Sequence, residues 1–90
     1  MTAADTNNNA HALALRALVW TLEEPDRAIR LLSVTGLDPS DLRARAGEPA
    51  VLAATLGFLE GHEPDLVACA GAIGVSPPDL VRARETLENA

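Results

Sequence analysis

Gly36-Leu37-Asp38-Pro39-Ser40-Asp41-Leu42 returns 38 residues later as Gly74-Val75-Ser76-Pro77-Pro78-Asp79-Leu80, and this repeated stretch decides the fold. In each copy the glycine can take the left-handed conformation that ends a helix. The aspartate or serine two residues later can cap the next helix, because its side-chain oxygen accepts a free N–H of the first turn. The proline that follows suits a first helical turn, where its missing N–H is not needed. Both stretches therefore predict a corner between two helices.

The similarity between the two halves of the chain extends beyond this corner. Glu24-Pro25-Asp26 returns as Glu63-Pro64-Asp65, one residue out of step, and the two aromatic residues, Trp20 and Phe58, are again 38 residues apart. A period of this length is typical of helical units that bury their apolar faces only against a neighbouring copy. The pattern predicts two similar three-helix halves.

Prolines and glycines mark the ends of the predicted helices. Five prolines fall at helix starts: Pro25, Pro39, Pro49, Pro64 and Pro77. Four glycines fall at helix ends: Gly36, Gly47, Gly61 and Gly74. Apolar residues recur at helical spacing between these marks, and no segment alternates as a β-branched strand would. We therefore predict an all-α fold, a compact bundle of about six short helices with helix-turn-helix-like corners.

The same pattern gives the extent of the domain. We expect a single helical domain over residues 10–90, made of a pseudo-repeat over residues 10–47 and 48–88. Residues 1–9 are polar and are expected to form a flexible N-terminal tail whose asparagines cap a first helix starting at Ala10.

Helical spacing also assigns faces to the helices. The first helix is apolar around most of its girth and is expected to be buried centrally, with Val19 in an apolar stripe. Ile29 and Val67 are expected to face inward on the second and fifth helices. Arg27 and Arg30 are expected to face outward on the second helix.

Composition limits the classes of function. The chain is 48% hydrophobic but only 2% aromatic, its net charge is −6, and its seven basic residues are all arginine. This acidic balance disfavours binding to nucleic acid or to an anionic membrane. No apolar run approaches the roughly 18 residues of a membrane span, and no secretory signal is recognisable. The single cysteine, Cys69, suits a reducing compartment. We expect a soluble cytoplasmic protein, and the lysine-free composition is typical of a GC-rich bacterial genome.

Residues 66–82 resemble the helix-turn-helix pattern of bacterial regulators. A small residue lies four positions before the turn glycine, Gly74, as two closely crossing helices require. The second helix, however, begins with Pro77-Pro78-Asp79, where DNA reading needs groove-reaching polar or basic side chains. Arg82 and Arg84 are the only bases nearby. The pattern therefore favours a packing corner over a DNA-reading one.

No combination of residues predicts catalysis or a bound metal or cofactor. Acidic clusters flank two helix-starting prolines, where carboxylates favour the helix dipole. The clusters are Glu23, Glu24 and Asp26 in the first half, and Glu60, Glu63 and Asp65 in the second. His62 is expected to bond a backbone carbonyl at the end of the fourth helix, and Cys69 to fill space in the fifth. We expect no enzymatic activity, no cofactor, no metal and no small-molecule substrate.

Four segments carry a resemblance to a known family: Ala14–Trp20, Leu31–Leu37, Leu52–Leu59 and His62–Asp65. They are similar to a small alphaproteobacterial family catalogued as domain of unknown function 3572, over roughly residues 10–85. The resemblance implies an all-helical cytoplasmic protein and supplies no activity, cofactor or catalytic residue. It singles out His62 and Glu63 as the polar part of a family-like motif.

These observations favour a non-catalytic protein–protein interaction or regulatory domain. A helical surface or groove would bind a partner that carries an amphipathic helix, or a second copy of the chain. The alternative is a helix-turn-helix DNA-binding or transcription-associated protein. The two aromatic rings are either core residues or binding anchors, since tryptophan is favoured in both settings. The candidate interaction residues are Trp20, Phe58, His62, Glu63, Arg82 and Arg84.

Overall fold

Six α-helices form within residues 3–89. The computed structural model describes the backbone of residues 3–89 and the side chains of residues 8–89. The helices are α1 (Ala3–Leu22), α2 (Pro25–Thr35), α3 (Pro39–Arg45), α4 (Pro49–Glu60), α5 (Glu63–Ile73) and α6 (Pro77–Glu88). The prediction of an all-α bundle of six helices is confirmed, and no strand occurs within residues 3–89.

Helix α1 begins earlier than the sequence suggested. Its backbone is already helical at Ala3, so the expected helix start at Ala10 is wrong; Met1 and Thr2 lie outside the described residues. Once a helix is nucleated, each further residue adds one hydrogen bond, and asparagine in a helix costs less than about 1 kcal/mol relative to alanine. The asparagines before Ala10 therefore lie inside the helix instead of capping it.

The two repeated glycine corners form as predicted. Gly36 and Gly74 have φ angles of 74° and 79°, in the left-handed region. Asp38 accepts a hydrogen bond from the backbone N–H three residues later, at 2.8 Å. Ser76 and Asp79 form a reciprocal capping box, in which each backbone N–H donates to the side chain of the other residue, at 2.9 and 3.3 Å. These bonds set the N-termini of α3 and α6 locally.

Helices α1, α4 and α6 pack against one another, with α5 lying on all three and α2 on α1 and α4. All six helices contribute to one aliphatic core. The largest fully buried side chains are Leu31, Leu52, Leu56, Leu59, Leu80, Thr21, Thr55 and Cys69. Thr21 and Thr55 fit this core because each hydroxyl donates to the carbonyl four residues earlier, at 2.8 and 3.0 Å.

The two halves share their corners but place their third helices differently. Helix α6 lies against both α1 and α4 and buries Leu80, Ala83 and Leu87. Helix α3 has only seven residues, and its one buried side chain is Leu42. Two turns are too short to reach across two neighbouring helices. The pseudo-repeat therefore describes the turn chemistry of both halves, whereas the packing around α6 has no counterpart at α3.

Candidate interaction surface

Trp20 lies beneath an arginine of α2. The guanidinium carbon of Arg27 is 3.7 Å from the centroid of the indole ring, and Arg27 Nη2 donates to the backbone carbonyl of Trp20 at 2.6 Å. Arg27 Nη1 bonds Glu24 at 2.7 Å, and the arginine side chain is only 14% exposed. A guanidinium stacks well on indole because it is planar and weakly hydrated. Arg27 therefore does not face outward as expected; it holds a half-buried Trp20 in place.

The side chain of Trp20 also lines an open groove between α1 and α5, which we call the α1–α5 groove. Its volume is about 370 Å³, and its apolar lining consists of Leu15, Val19, Trp20, Ala72 and Ile73. Arg16 and Glu23 complete the lining, about one turn before and one turn after Val19 and Trp20. Val19 is 60% exposed, so the prediction that it lies in a buried stripe is wrong.

Arg16 connects the two helices that form this groove. Its Nη2 donates to the backbone carbonyl of Ile73, the last residue of α5, at 2.5 Å. The last carbonyls of a helix lack partners within the helix, and a cation there also favours the helix dipole. Arg16 thus closes α5 and ties it to α1, which fixes the width of the groove.

Phe58 stands beside the second arginine of α2. The guanidinium carbon of Arg30 is 5.9 Å from the centroid of the phenyl ring, and Arg30 Nη1 is 3.1 Å from Asp65 Oδ2. That carboxylate oxygen is buried and has no well-aligned hydrogen bond, so the charge of Arg30 rather than directional bonding compensates it. Phe58 is half-buried, like Trp20, and packs at the edge of the core.

His62 does not make the expected bond to a backbone carbonyl. Its ring Nε2 lies 4.0 Å from Asp65 Oδ2, and its side chain is 52% exposed. The backbone N–H of His62, instead of the ring, donates to the carbonyl of Leu59 at 3.0 Å. The histidine whose ring does meet a carbonyl is His11, with Nε2 at 3.0 Å from Gly47 O. This contact ties α1 to the connection between α3 and α4.

The remaining candidate residues lie apart from the α1–α5 groove. Glu63 is exposed in the first turn of α5. Arg82 bonds the carboxylate of Asp79. Arg84 bonds the carboxylates of Glu60 and Glu88, and the bond with Glu60 is the main cause of its raised pKa. The structure thus places only Trp20 of the six candidates in the groove. Phe58 and His62 share a different groove beside α4.

The corner between α5 and α6 has an angle of 97°. That value is within the range of helix-turn-helix units. A recognition helix must also present its first turn to DNA, and here this turn holds Pro77, Pro78 and Asp79. Helix α6 also packs on both α1 and α4, so much of its surface serves the core.

The buried thiol of Cys69 is unsuited to nucleophilic chemistry. Burial raises the pKa of Cys69 to about 11, with a smaller opposing effect from the charge of Arg27. The thiolate is the reactive form, so it is scarce at neutral pH. Across the part of the chain that the structure describes, no three His, Cys, Asp or Glu side chains converge as a metal site requires.

Within the described residues, no single helix combines the length and apolarity that crossing a membrane requires. Helices α5 and α6 reach the length and apolarity of a membrane span only when they are counted together, and the chain is sharply bent at the break between them.

Comparison with known proteins identifies a family. The family described as "Protein of unknown function (DUF3572)" matches residues 7–90 of the chain. No curated protein and no solved structure is significantly similar to this chain. The matched region includes all six helices except the first residues of α1, and it contains the whole α1–α5 groove. The chain therefore belongs to the DUF3572 family of proteins of unknown function.

Proposed function

We propose that this chain is a non-catalytic protein–protein interaction domain of the bacterial cytoplasm, and that it binds its partner in the α1–α5 groove. The observation that carries the proposal is the 60% exposure of Val19 at a groove that half-buried Trp20 also lines. Single exposed aliphatic residues are common on protein surfaces. A contiguous apolar groove with charged residues at its rim is typical of interaction sites.

The groove is suited to an amphipathic helix. Such a helix places apolar residues at i, i+3, i+4 and i+7 into a hydrophobic groove. Arg27 already holds the indole of Trp20, and the bond between Arg16 and Ile73 already fixes α5 beside α1. A partner would therefore not need to order these groups on binding, which reduces the entropic cost of association. Arg16 and Glu23 would set the orientation of the bound helix through their opposite charges.

A matched pair of substitutions tests this function. Val19 and Ile29 are both 60% exposed, but only Val19 lines the groove. We expect the immobilised chain and its Ile29→Glu variant to retain the same partner, identified by mass spectrometry and then purified. Val19→Glu should lose that partner, because the groove would then have to bury a carboxylate. His62→Ala, outside the groove, should retain it.

The purified partner would then be titrated against the chain while the fluorescence of Trp20, the only tryptophan, is recorded. Saturable binding that depends on Val19 supports the proposal. If no protein, a second copy of the chain included, binds in a manner that depends on Val19, the proposal fails.

DNA binding is a second candidate because the 97° corner between α5 and α6 matches a helix-turn-helix angle. The net charge of −6 and the engagement of Arg82 and Arg84 by carboxylates oppose it. Electrophoresis with random-sequence duplex at low salt separates the two functions. Retention that weakens steeply with added salt, and is lost in the Arg82→Ala variant, would favour DNA binding over protein binding.

A further inference from the structure

We propose that the partner in the α1–α5 groove is a second copy of this chain, docked with its α1 antiparallel to the first α1 about a two-fold axis at Val19. This inference rests on the proposed function, since it names the helix that the groove binds. It depends on the order of apolar and charged residues along the exposed face of α1.

The exposed face of α1 is itself an amphipathic stripe. Arg16 and Val19 of α1 are followed by Glu23 at intervals of three and four residues, and all three are exposed. Glu23 is the residue after the last one of α1, and its backbone N–H still donates to the carbonyl of Val19 at 3.1 Å, so it continues the helical spacing. Leu15 and Leu22 lie beside them, seven residues apart, on the same side of the helix. Spacings of three, four and seven residues place side chains on one face of a helix. Helix α1 thus carries the kind of surface that its own groove would bind.

The order of these residues is self-complementary in the antiparallel direction. When two copies of α1 run antiparallel, the residue numbers of one helix increase along the contact while those of the facing helix decrease. A two-fold axis at Val19 brings Val19 of one chain against Val19 of the second chain. The same axis brings Leu15 within one residue of the position that faces Leu22 of the second chain. Arg16 then lies within one residue of Glu23 in the second chain. One residue is only about 1.5 Å along the helix, so the apolar and charged pairs form in one register.

The charged pair favours a second copy over an unrelated partner. The guanidinium of Arg16 donates a hydrogen bond to the carbonyl of Ile73. Because a guanidinium has five N–H donors, donors are left for a carboxylate. Glu23 is exposed and forms no ion pair among the described side chains. Two-fold symmetry forms the contact between Arg16 and Glu23 twice. Because each copy has a net charge of −6, general electrostatics would repel the two chains, and this local pairing acts against that repulsion.

Sedimentation equilibrium measures the association directly. Over chain concentrations from about 10 µM to about 1 mM, we expect reversible dimers for the unmodified chain and for Ile29→Glu. Val19→Glu should weaken dimerisation at least about tenfold, because two carboxylates would meet at the axis. Because Val19 is mostly exposed, the urea unfolding midpoint of the Val19→Glu variant should stay close to that of the Ile29→Glu variant.

A mixing experiment tests the antiparallel register. Arg16→Glu and Glu23→Arg should each lose self-association, since each makes the facing residues alike in charge. An equimolar mixture of the two variants should form a heterodimer, because each contact between positions 16 and 23 then joins opposite charges. A folding defect would not be repaired by mixing, and circular dichroism of each variant provides the control. Two folded variants that stay monomeric when mixed would overturn the proposed register.

The outcomes separate this inference from the function on which it rests. If the unmodified chain is monomeric up to about 1 mM, or if Val19→Glu dimerises as well as Ile29→Glu, the second copy is not the occupant of the groove. Capture of another protein that depends on Val19 would then still support the interaction function. If neither self-association nor such capture is found, both proposals fail.

Discussion

Leu42 and Leu80 occupy equivalent positions in the repeated corner, yet we expect their truncation to have unequal effects. Both side chains are buried, with exposures of 4% and 0%. Leu80 belongs to α6, which packs on α1 and α4, whereas Leu42 is the only buried side chain of the seven-residue α3. The same substitution, Leu→Ala, therefore tests whether the two halves are packed alike.

The magnitude follows from how far each site can close around the lost atoms. Truncation of a buried leucine to alanine costs about 2–5 kcal/mol, and the upper end applies where the surroundings cannot relax. Helix α3 is short and can shift toward the core, so we expect Leu42→Ala to cost about 2 kcal/mol. Helix α6 is held between two helices, so we expect about 4 kcal/mol for Leu80→Ala. A domain of this size has a total stability of about 5–13 kcal/mol, so the second change removes a large part of it.

Urea unfolding followed by far-UV circular dichroism measures both values. The two variants should share the slope of the unmodified chain, so that shifts in midpoint report stability alone. Thermal midpoints should fall by at least about 4 °C for each kcal/mol lost. Equal losses for the two variants, or a larger loss for Leu42→Ala, would refute the conclusion that α3 and α6 are packed differently.

Three further predictions concern single positions. Gly71→Ala should raise the free energy of unfolding by about 0.5–1 kcal/mol, because an added Cβ meets nothing within 4 Å in the interior of α5; Gly74→Ala, at φ 79°, should lower it by about 1 kcal/mol in the same urea titration. A thiol reagent at about pH 8 should leave Cys69 unmodified in the folded chain and react fully in guanidinium, and rapid reaction of the folded chain would contradict its raised pKa. The backbone N–H of Ser76 lowers the pKa of Asp79 below 3.8, so this carboxylate stabilises the fold above that pH and ceases to do so as the pH falls through the lowered value. Asp79→Asn should therefore lower the thermal midpoint at neutral pH, and this loss should shrink as the pH falls below 3.8, whereas an equal loss at every pH would contradict a role for the charge.

The helices could be predicted from the sequence because their ends depend on local chemistry. A proline restricts its own φ angle and the residue before it, wherever the helix lies in the fold. Pro39 and Pro77 open α3 and α6, and Gly36 and Gly74 adopt the left-handed conformation that the turns require. The start of α1 was predicted poorly because no proline or glycine marks it. Extension of a helix through polar residues depends on nucleation elsewhere in the helix.

The faces of the helices were harder to predict because burial depends on neighbours that the sequence does not specify. Leu18 and Val19 are adjacent in the chain, yet they are 3% and 60% exposed. A helix that is apolar around most of its girth gives no signal for which edge its neighbours cover. Ile29 and Val67 were expected to face inward and are 60% and 52% exposed. The spacing of apolar residues in the sequence therefore could not predict which edge of α1 is exposed.

The prediction for Arg27 was wrong in the opposite direction, because this charged residue was expected at the surface and is largely buried. A guanidinium can leave water when an aromatic face and hydrogen-bond acceptors replace its hydration, and Trp20 supplies both its indole ring and its backbone carbonyl. Trp20 precedes Arg27 by seven residues across a helix junction, so no helical spacing signals this contact. Arg27 thereby holds the indole ring of Trp20, which was expected to be either a core residue or a binding anchor, at the edge of the core.

The excess of apolar surface on α1 is the strongest link between this fold and the proposed function. The leucines of α2, α4 and α6 fill the core together with Ala14, Ala17 and Leu18 of α1. Val19 and Leu22 add little to that core, because they remain 60% and 40% exposed. Apolar surface gains about 25 cal/mol per Å² only when water is removed from it, so these side chains gain it only when another chain covers them. A stripe that contributes little to folding, lies beside a groove and is bounded by opposite charges therefore supports the proposed binding function.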